Sequence, residues 1–218
     1  MKKSLSVAIS IITALFVIAF AIAVPITVRS FYYVQITPLG IEKDTGLSRE
    51  TIVDAFDSVM DYLHGKGEFS TGKLKYSEDG KSHFEDCKKL FDLDYTVLII
   101  TAILLILIFV LVRMDKLHFH KFLGLSPLFF SGVGILAFFL VFALWGVIDF
   151  NSLFTLFHTV FFPGKSNWIF YPAYDEIITI LPAQFFANCA ILIFAIIVLF
   201  TVCFIVYSLK TRTKNENR

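Results

Sequence analysis

His83 and His158 are the side chains of this sequence best suited to move protons, because an imidazole changes charge between about pH 5 and 8. They stand 75 positions apart, in Lys81-Ser82-His83-Phe84-Glu85-Asp86 and in Phe157-His158-Thr159-Val160-Phe161-Phe162. Two neutral imidazoles can share the work of a base that deprotonates a nucleophile and an acid that reprotonates a leaving group. For such a pair to meet, the chain must bring two separate loops to one place. The hydropathy pattern predicts that both loops emerge on the same side of a membrane, among aromatic side chains. That points to chemistry on a lipid-bearing substrate.

The elements that must position them are apolar. The chain has 218 residues, 57% of them hydrophobic, and a mean hydropathy of +0.76. This excludes an ordinary soluble domain. Four runs are long enough to cross about 30 Å of hydrocarbon. They divide the chain into a first span (1–28, apolar from Leu5), an outer cap (29–94), a second span (95–112), a short inner loop (113–123), a third span (124–148), an aromatic outer loop (149–182), a fourth span (183–209) and a tail (210–218). Lys2, Lys3 and Ala21-Ile22-Ala23 have the look of a cleavable leader. The apolar run is too long for one, however, and Pro25 would follow the cut almost at once, so this segment is expected to stay as an anchor.

Basic residues set the expected orientation. Lys2 and Lys3, then Arg113, Lys116 and Lys121, then Lys210, Arg212, Lys214 and Arg218 all fall on one side of a four-span topology, which is read as the cytoplasm. Both termini are then inside, and the cap and aromatic loop outside. Arg29 and the pair Tyr32-Tyr33 read as an interfacial anchor. The cap carries thirteen Asp and Glu against nine Lys and Arg, and the formal charge of the whole chain is only +1. Nucleic acid is therefore not an expected partner; membrane lipid is.

Within the cap, Ser48 reads as the N-cap of an amphipathic helix running to about His64, with Ile52, Val53, Phe56, Val59, Met60 and Leu63 on its apolar stripe and a solvated acidic face. Leu74-Lys75-Tyr76 reads as a short strand. A second helix over 81–92 leads almost directly into the span at Tyr95 and carries His83, Asp86 and Leu90 on one face. Asp86 is placed either to orient His83, as a carboxylate supports a catalytic histidine, or to form a plain helix salt bridge. The aromatic loop holds Phe157, Phe161, Phe162, Trp168 and Tyr171, which suit a half-buried apolar pocket. Asp175 reads as the cap of a last helical stretch.

Other chemistries are less well supplied. The three cysteines, Cys87, Cys189 and Cys203, have no metal-ligand spacing and offer no outer disulfide. Cys87 lies on the apolar stripe of its helix, where packing is its expected role. His118 and His120 belong to the inner loop. A zinc site on His83 and His158 would need a third ligand and has no HExxH or CxxC to suggest it. No GxSxG is present. Neither a metal nor any other cofactor is expected.

Two stretches resemble a known family. One is Tyr76-Ser77, then His83, Asp86, Lys88 and Leu90-Phe91. The other is Phe157-His158, Phe161-Phe162, Trp168, Phe170, Pro172, Asp175, Ile178, Pro182 and Phe185-Phe186. Together with four spans and a large cap after the first, they resemble the lipoprotein intramolecular transacylase (Lit) family of small Gram-positive integral membrane proteins. Gly80, Phe84 and Cys87 depart from the family pattern. The resemblance implies an all-α membrane protein with a mainly helical extracellular cap. It implies a diacylated lipoprotein substrate whose sn-2 acyl chain moves to the α-amine of its N-terminal cysteine, leaving the lyso form. His83 and His158 are then the catalytic pair. Asp86, Lys88, Phe157, Phe161, Phe162, Trp168, Tyr171 and Asp175 support them or bind substrate. In this reading His83 takes the amine proton and His158 stabilises the oxyanion or protonates the leaving alcohol, with the reverse order open. A protonated imidazole, Trp168 or Tyr171 supplies the oxyanion donor. Two other functions use the same features: a phospholipid hydrolase or acyltransferase of the outer leaflet, and a non-catalytic sensor or binding protein.

Overall fold

The computed structural model describes residues 3–118 and 120–216. Lys2 and Arg218 of the basic flanks, and Phe119, lie outside the described residues. The order is α1 (Lys3–Thr27), α2 (Ser30–Tyr33), α3 (Ile41–Thr45), α4 (Arg49–Leu63), α5 (Glu78–Arg113), α6 (Pro127–Ile148), α7 (Phe150–Phe161), a 3-10 helix (Glu176–Ile180) and α8 (Ala183–Glu216). Four of these, α1, α5, α6 and α8, are long and apolar enough to cross a membrane. The chain is an all-helical integral membrane protein, with α2, α3 and α4 between its first two spanning helices in sequence.

The fold divides into two compact units. The first holds Met1–Val24, Asp94–Leu144 and Ile191–Arg218. Its interior mixes small and hydroxylated residues with a cluster of Val17, Ala21, Ile135 and Ile197; hydrocarbon gives apolar side chains little reason to leave lipid, so close packing and hydrogen bonds hold such helices together. At Gly132 a Cβ would come within 3.2 Å of the Thr201 Cα. Thr201 Oγ1 donates to the Gly132 carbonyl at 3.1 Å. Ser10 Oγ reaches the Pro127 carbonyl at 2.9 Å, and Ser208 Oγ accepts from Ser126 N–H at 2.9 Å. Pro127 opens α6, where its missing N–H costs nothing.

The second unit holds Pro25–Leu93 and Trp145–Ala190. It has a core of large side chains that includes Tyr32, Ile52, Phe56, Val59, Leu63, Phe84, Ile177, Ile180 and Phe185. Ser48 caps α4 by accepting from Thr51 N–H at 3.2 Å, and the helix lays Ile52, Phe56, Val59, Met60 and Leu63 into that core. Tyr32 stacks on Phe56 with centroids 3.9 Å apart and donates its hydroxyl to the Ile180 carbonyl at 2.7 Å. Tyr32 is therefore a core residue rather than an interfacial anchor. Arg29 binds Asp57 at 3.2 Å and Asp61 at 2.5 Å, and Tyr33 binds Asp57 at 2.5 Å. Part of the acidic face of α4 is thus paired, because a guanidinium and a phenol stand opposite it.

Two further expectations change. The helix over 81–92 and the second span are one continuous α5; neither Gly nor Pro lies between Lys81 and Arg113 to stop it. Residues 74–76 form no strand. They run irregularly beside the 3-10 helix, with Lys75 N–H donating to Glu176 Oε2 at 2.9 Å and Glu176 N–H to the Lys75 carbonyl at 3.0 Å. Asp175, expected as a helix cap, makes no capping bond. Its carboxylate accepts from Ser77 N–H and Ser77 Oγ, both at 2.8 Å. Ser77 Oγ in turn accepts from Gly80 N–H at 3.0 Å and so caps α5. Ser77 is therefore occupied as a structural link.

Candidate active site

Two helices of the second unit bring the histidines together. Asp149 caps α7 by accepting from Ser152 N–H at 3.0 Å. About two and a half turns on, α7 buries His158 while Phe157, Val160 and Phe161 stay exposed. Ser77 starts α5, whose buried face near this end carries His83, Phe84 and Asp86. The imidazole centroids of His83 and His158 are 5.7 Å apart and the rings are tilted by 34°. Each residue is only 6% exposed.

Aromatic rings wall the pair. Trp168 stacks on His158 at 4.5 Å, and Phe154 packs tilted against the same imidazole at 4.2 Å. Phe162 lies 5.0 Å from His83, edge-on, and 5.7 Å from His158. Phe170 meets His83 edge-on at 5.4 Å. Phe157 touches His158 at 5.4 Å and Phe161 at 4.6 Å.

The hydrogen bonds distinguish the two rings. His158 Nδ1 lies 2.8 Å from the Phe154 carbonyl. A carbonyl can only accept, so Nδ1 carries the proton and the neutral ring keeps its lone pair on Nε2. His83 Nε2 faces the Cys87 thiol at 3.4 Å, and His83 Nδ1 is buried without a partner among the described residues. Burial lowers the pKa of His83 to about 4, with help from His158 and Lys165 and against the pull of Asp86. Burial also lowers His158, against the Phe154 hydrogen bond. Burial pushes the Cys87 thiol up to about 12, so it keeps its proton.

Asp86 does not hydrogen-bond His83. Its buried carboxylate takes Lys165 Nζ at 2.5 Å, Lys89 Nζ at 3.1 Å and Asn167 Nδ2 at 3.2 Å. Burial would raise this carboxyl, but these donors hold it down at about 2. Two ammonium groups and an amide are better partners for a carboxylate than a desolvated neutral imidazole. Lys88 lies instead over the Tyr62 ring, 4.5 Å from its centroid. Tyr171 is exposed and lines a shallow pocket with Ser77, Tyr174 and Asp175. Trp168 Nε1–H is already donated to the Lys165 carbonyl at 3.1 Å. The sequence reading missed Lys165, Asn167 and the packing of Phe154. The one available signal for Lys165 was that it is the only Lys or Arg in the aromatic loop 149–182. Among the described residues, no three His, Cys, Asp or Glu side chains are grouped to hold a metal ion.

A family profile described as lipoprotein intramolecular transacylase Lit matches residues 7–186. No curated protein matches the chain. The fold is that of the membrane integral lipoprotein intramolecular transacylase Lit from Bacillus cereus, with a TM-score of 0.87 at 22% identity, covering 99% of this chain and 98% of that one. Two structures of the same Bacillus cereus protein with one histidine replaced also match. The arginine variant gives a TM-score of 0.76 at 23% identity over 98% of this chain and 92% of that one. The alanine variant gives 0.79 at 22% over 99% and 96%. The match spans both histidines and the elements that carry them, and the chain belongs to the lipoprotein intramolecular transacylase (Lit) family of acyltransferases.

Proposed function

We propose that this chain moves the sn-2 acyl group of a diacylglyceryl lipoprotein to the α-amine of that lipoprotein's N-terminal cysteine, using His83 and His158. The observation that carries the reading is the pair of buried imidazoles 5.7 Å apart inside an aromatic wall. Donor and acceptor belong to one substrate molecule, so an enclosure that folds the lipid back on the amine supplies much of the catalysis as positioning.

The hydrogen bonds favour His158 as the proton carrier, the reverse of the simplest order. With Nδ1–H held by the Phe154 carbonyl, its Nε2 lone pair is the base. The amine nitrogen attacks the ester carbonyl carbon and its proton passes to His158 Nε2. The tetrahedral oxyanion collapses, the bond to the glyceryl oxygen breaks, and His158 returns the proton to that oxygen. The products are an amide and a free sn-2 hydroxyl. His83 is the oxyanion donor. A protonated Cys87 thiol donates to its Nε2, which leaves the ring proton on the unpartnered Nδ1. Burial keeps this imidazole neutral, and a neutral N–H polarises a carbonyl without first having to lose a charge. Trp168 is spent on Lys165, and Tyr171 is exposed, so neither competes for that role.

The basic residues support a topology with both termini in the cytoplasm and the second unit outside, where mature lipoproteins are. Phe157 and Phe161, exposed on α7, suit contact with acyl chains.

Expression in a host that makes only diacylated lipoproteins tests the reading. Tandem mass spectrometry of an N-terminal lipopeptide should find an acyl group on the cysteine nitrogen with the intact mass unchanged. Loss of one acyl mass would mean hydrolysis instead. An unaltered diacylglyceryl cysteine with a free amine would overturn acyl transfer.

A further inference from the structure

The loop between α7 and the 3-10 helix carries the indole that stacks on His158, and the polar end of that indole is tied to Lys165. The Lys165 carbonyl accepts from Trp168 Nε1 at 3.1 Å. At the other end of the same residue, Nζ is held by the Asp86 carboxylate at 2.5 Å. Asp86 lies three residues from His83 on α5 and is 7% exposed. Asn167 adds a second tie from the loop to Asp86 at 3.2 Å and reaches Ser82 Oγ at 3.4 Å. The loop leaves α7 through Pro163 and Gly164, whose φ of +74° sets the turn, and Lys165 N–H closes that turn on the Phe162 carbonyl at 3.1 Å.

We infer that Lys165 is a positioning residue for the acyl transfer. Anchored on Asp86, it sets the plane of Trp168 against His158 and so ties the two histidine-bearing helices into one working geometry. The chain of contact runs from α5 through Asp86 and Lys165 to Trp168 and then to the His158 ring, so both imidazoles are referenced to one carboxylate. The inference rests on the transacylase reading for its effect on rate, but its geometric content stands on these contacts alone. It also gives Asp86 a purpose other than supporting His83. A buried carboxylate with ammonium partners is costly unless each is satisfied, and here the charge ties the loop to α5.

The test uses the full chain in lipid nanodiscs, in a Trp145→Phe background so that Trp168 is the single tryptophan. An imidazolium stacked on an indole quenches its fluorescence, so Trp168 emission followed between pH 8 and 4.5 reports protonation of His158 only while the two rings are in contact. The charged and titratable groups around the pair are His83, Asp86 and Cys87 from α5 and Lys165 from the loop. Lys165→Met should abolish the pH-dependent quenching and lower kcat on a synthetic diacylated lipopeptide at least tenfold, while KM changes less than threefold. Lys165→Arg, which keeps the ion pair and the carbonyl, should retain the quenching and at least a third of the rate. Should Lys165→Met fail to fold, the double variant Asp86→Asn/Lys165→Met removes the uncompensated carboxylate and should show the same lost quenching. Wild-type quenching in Lys165→Met or in the double variant, or an Arg variant as defective as Met, would overturn the inference. Absence of acyl transfer in the unsubstituted background, with quenching lost in Lys165→Met, would overturn the transacylase reading and leave the positioning role standing.

Discussion

The two units of this protein are held together by different forces. The interior of the first buries Ser6, Thr13, Ser126, Ser131, Thr201 and Ser208 among Val17, Ala21 and Ile135. The interior of the second buries Tyr32, Phe56, Phe84, Phe162 and Phe185 and places a charged network beside them. The difference follows from the solvent each unit is built for. Helices already surrounded by hydrocarbon gain nothing by burying larger apolar groups and associate through close backbone approach and hydroxyl hydrogen bonds. The second interior instead collects large rings, whose removal from water is worth about 25 cal/mol for each Å² of apolar surface buried. The histidine pair belongs to the second kind of interior, where burial disfavours the charged form of both imidazoles.

Substitutions break this comparison in graded steps. The largest expected effect is at Phe56, which stacks on Tyr32 and meets Phe185 edge-on. Phe56→Ala should cost about 3–5 kcal/mol, read as hydrogen exchange spreading through residues 29–74 while amides of α6 and α8 stay protected. Gly132→Leu should cost about 1–3 kcal/mol by overpacking, because its Cβ meets the Thr201 backbone at 3.2 Å. A lowered midpoint in a detergent thermal scan, with slow exchange retained at α4, would place the damage in the first unit. The smallest effect is at Ser208→Ala, where losing the bond to Ser126 N–H should cost about 0.6 kcal/mol, the average for such bonds in membrane proteins.

Acid sharpens the same contrast. The pKa of His83 is about 4 in the fold against about 6.5 unfolded, and His158 is shifted in the same direction. The unfolded chain therefore binds protons first, and stability of the second unit should fall as pH drops from about 6.5 towards 4. The acyl-transfer rate should rise with pH towards the pKa of the substrate amine, about 8, with no loss of activity from either histidine above about pH 6.5. Stopped-flow acid unfolding and a pH–rate profile check the two limbs. A rate that falls between pH 7 and 8 would mean that an enzyme group must be protonated to work.

The four spans were legible because hydropathy over some twenty residues is a strong signal, and α4 was legible from its cap and its stripe. The histidine pair was legible as two residue types on one expected face. What the sequence did not reveal were partners set by the tertiary fold. Arg29 reads as a membrane anchor until Asp57 and Asp61 are seen opposite it. Asp86 reads as the support of His83 or as one half of a plain helix salt bridge, because spacing on a helix is visible, and the bridge forms, to Lys89 at 3.1 Å. Its other ammonium partner, Lys165, is 79 positions distant and leaves no periodic trace. The role of Asp175 was misread for the same reason, since capping is a local signal and its bonds to Ser77 are not.

The central claim is that His83 and His158 act together on one acyl transfer. The most direct measurement is the initial rate of N-acylation of a synthetic diacylated lipopeptide by the purified protein, with fragment ions locating the acyl chain. It would be made in parallel for the wild type, His83→Ala and His158→Ala, each shown to be folded. The account predicts that each variant falls at least about a hundredfold, on the scale of losing a proton carrier or an oxyanion donor. A variant that keeps a wild-type rate of nitrogen acylation would contradict it.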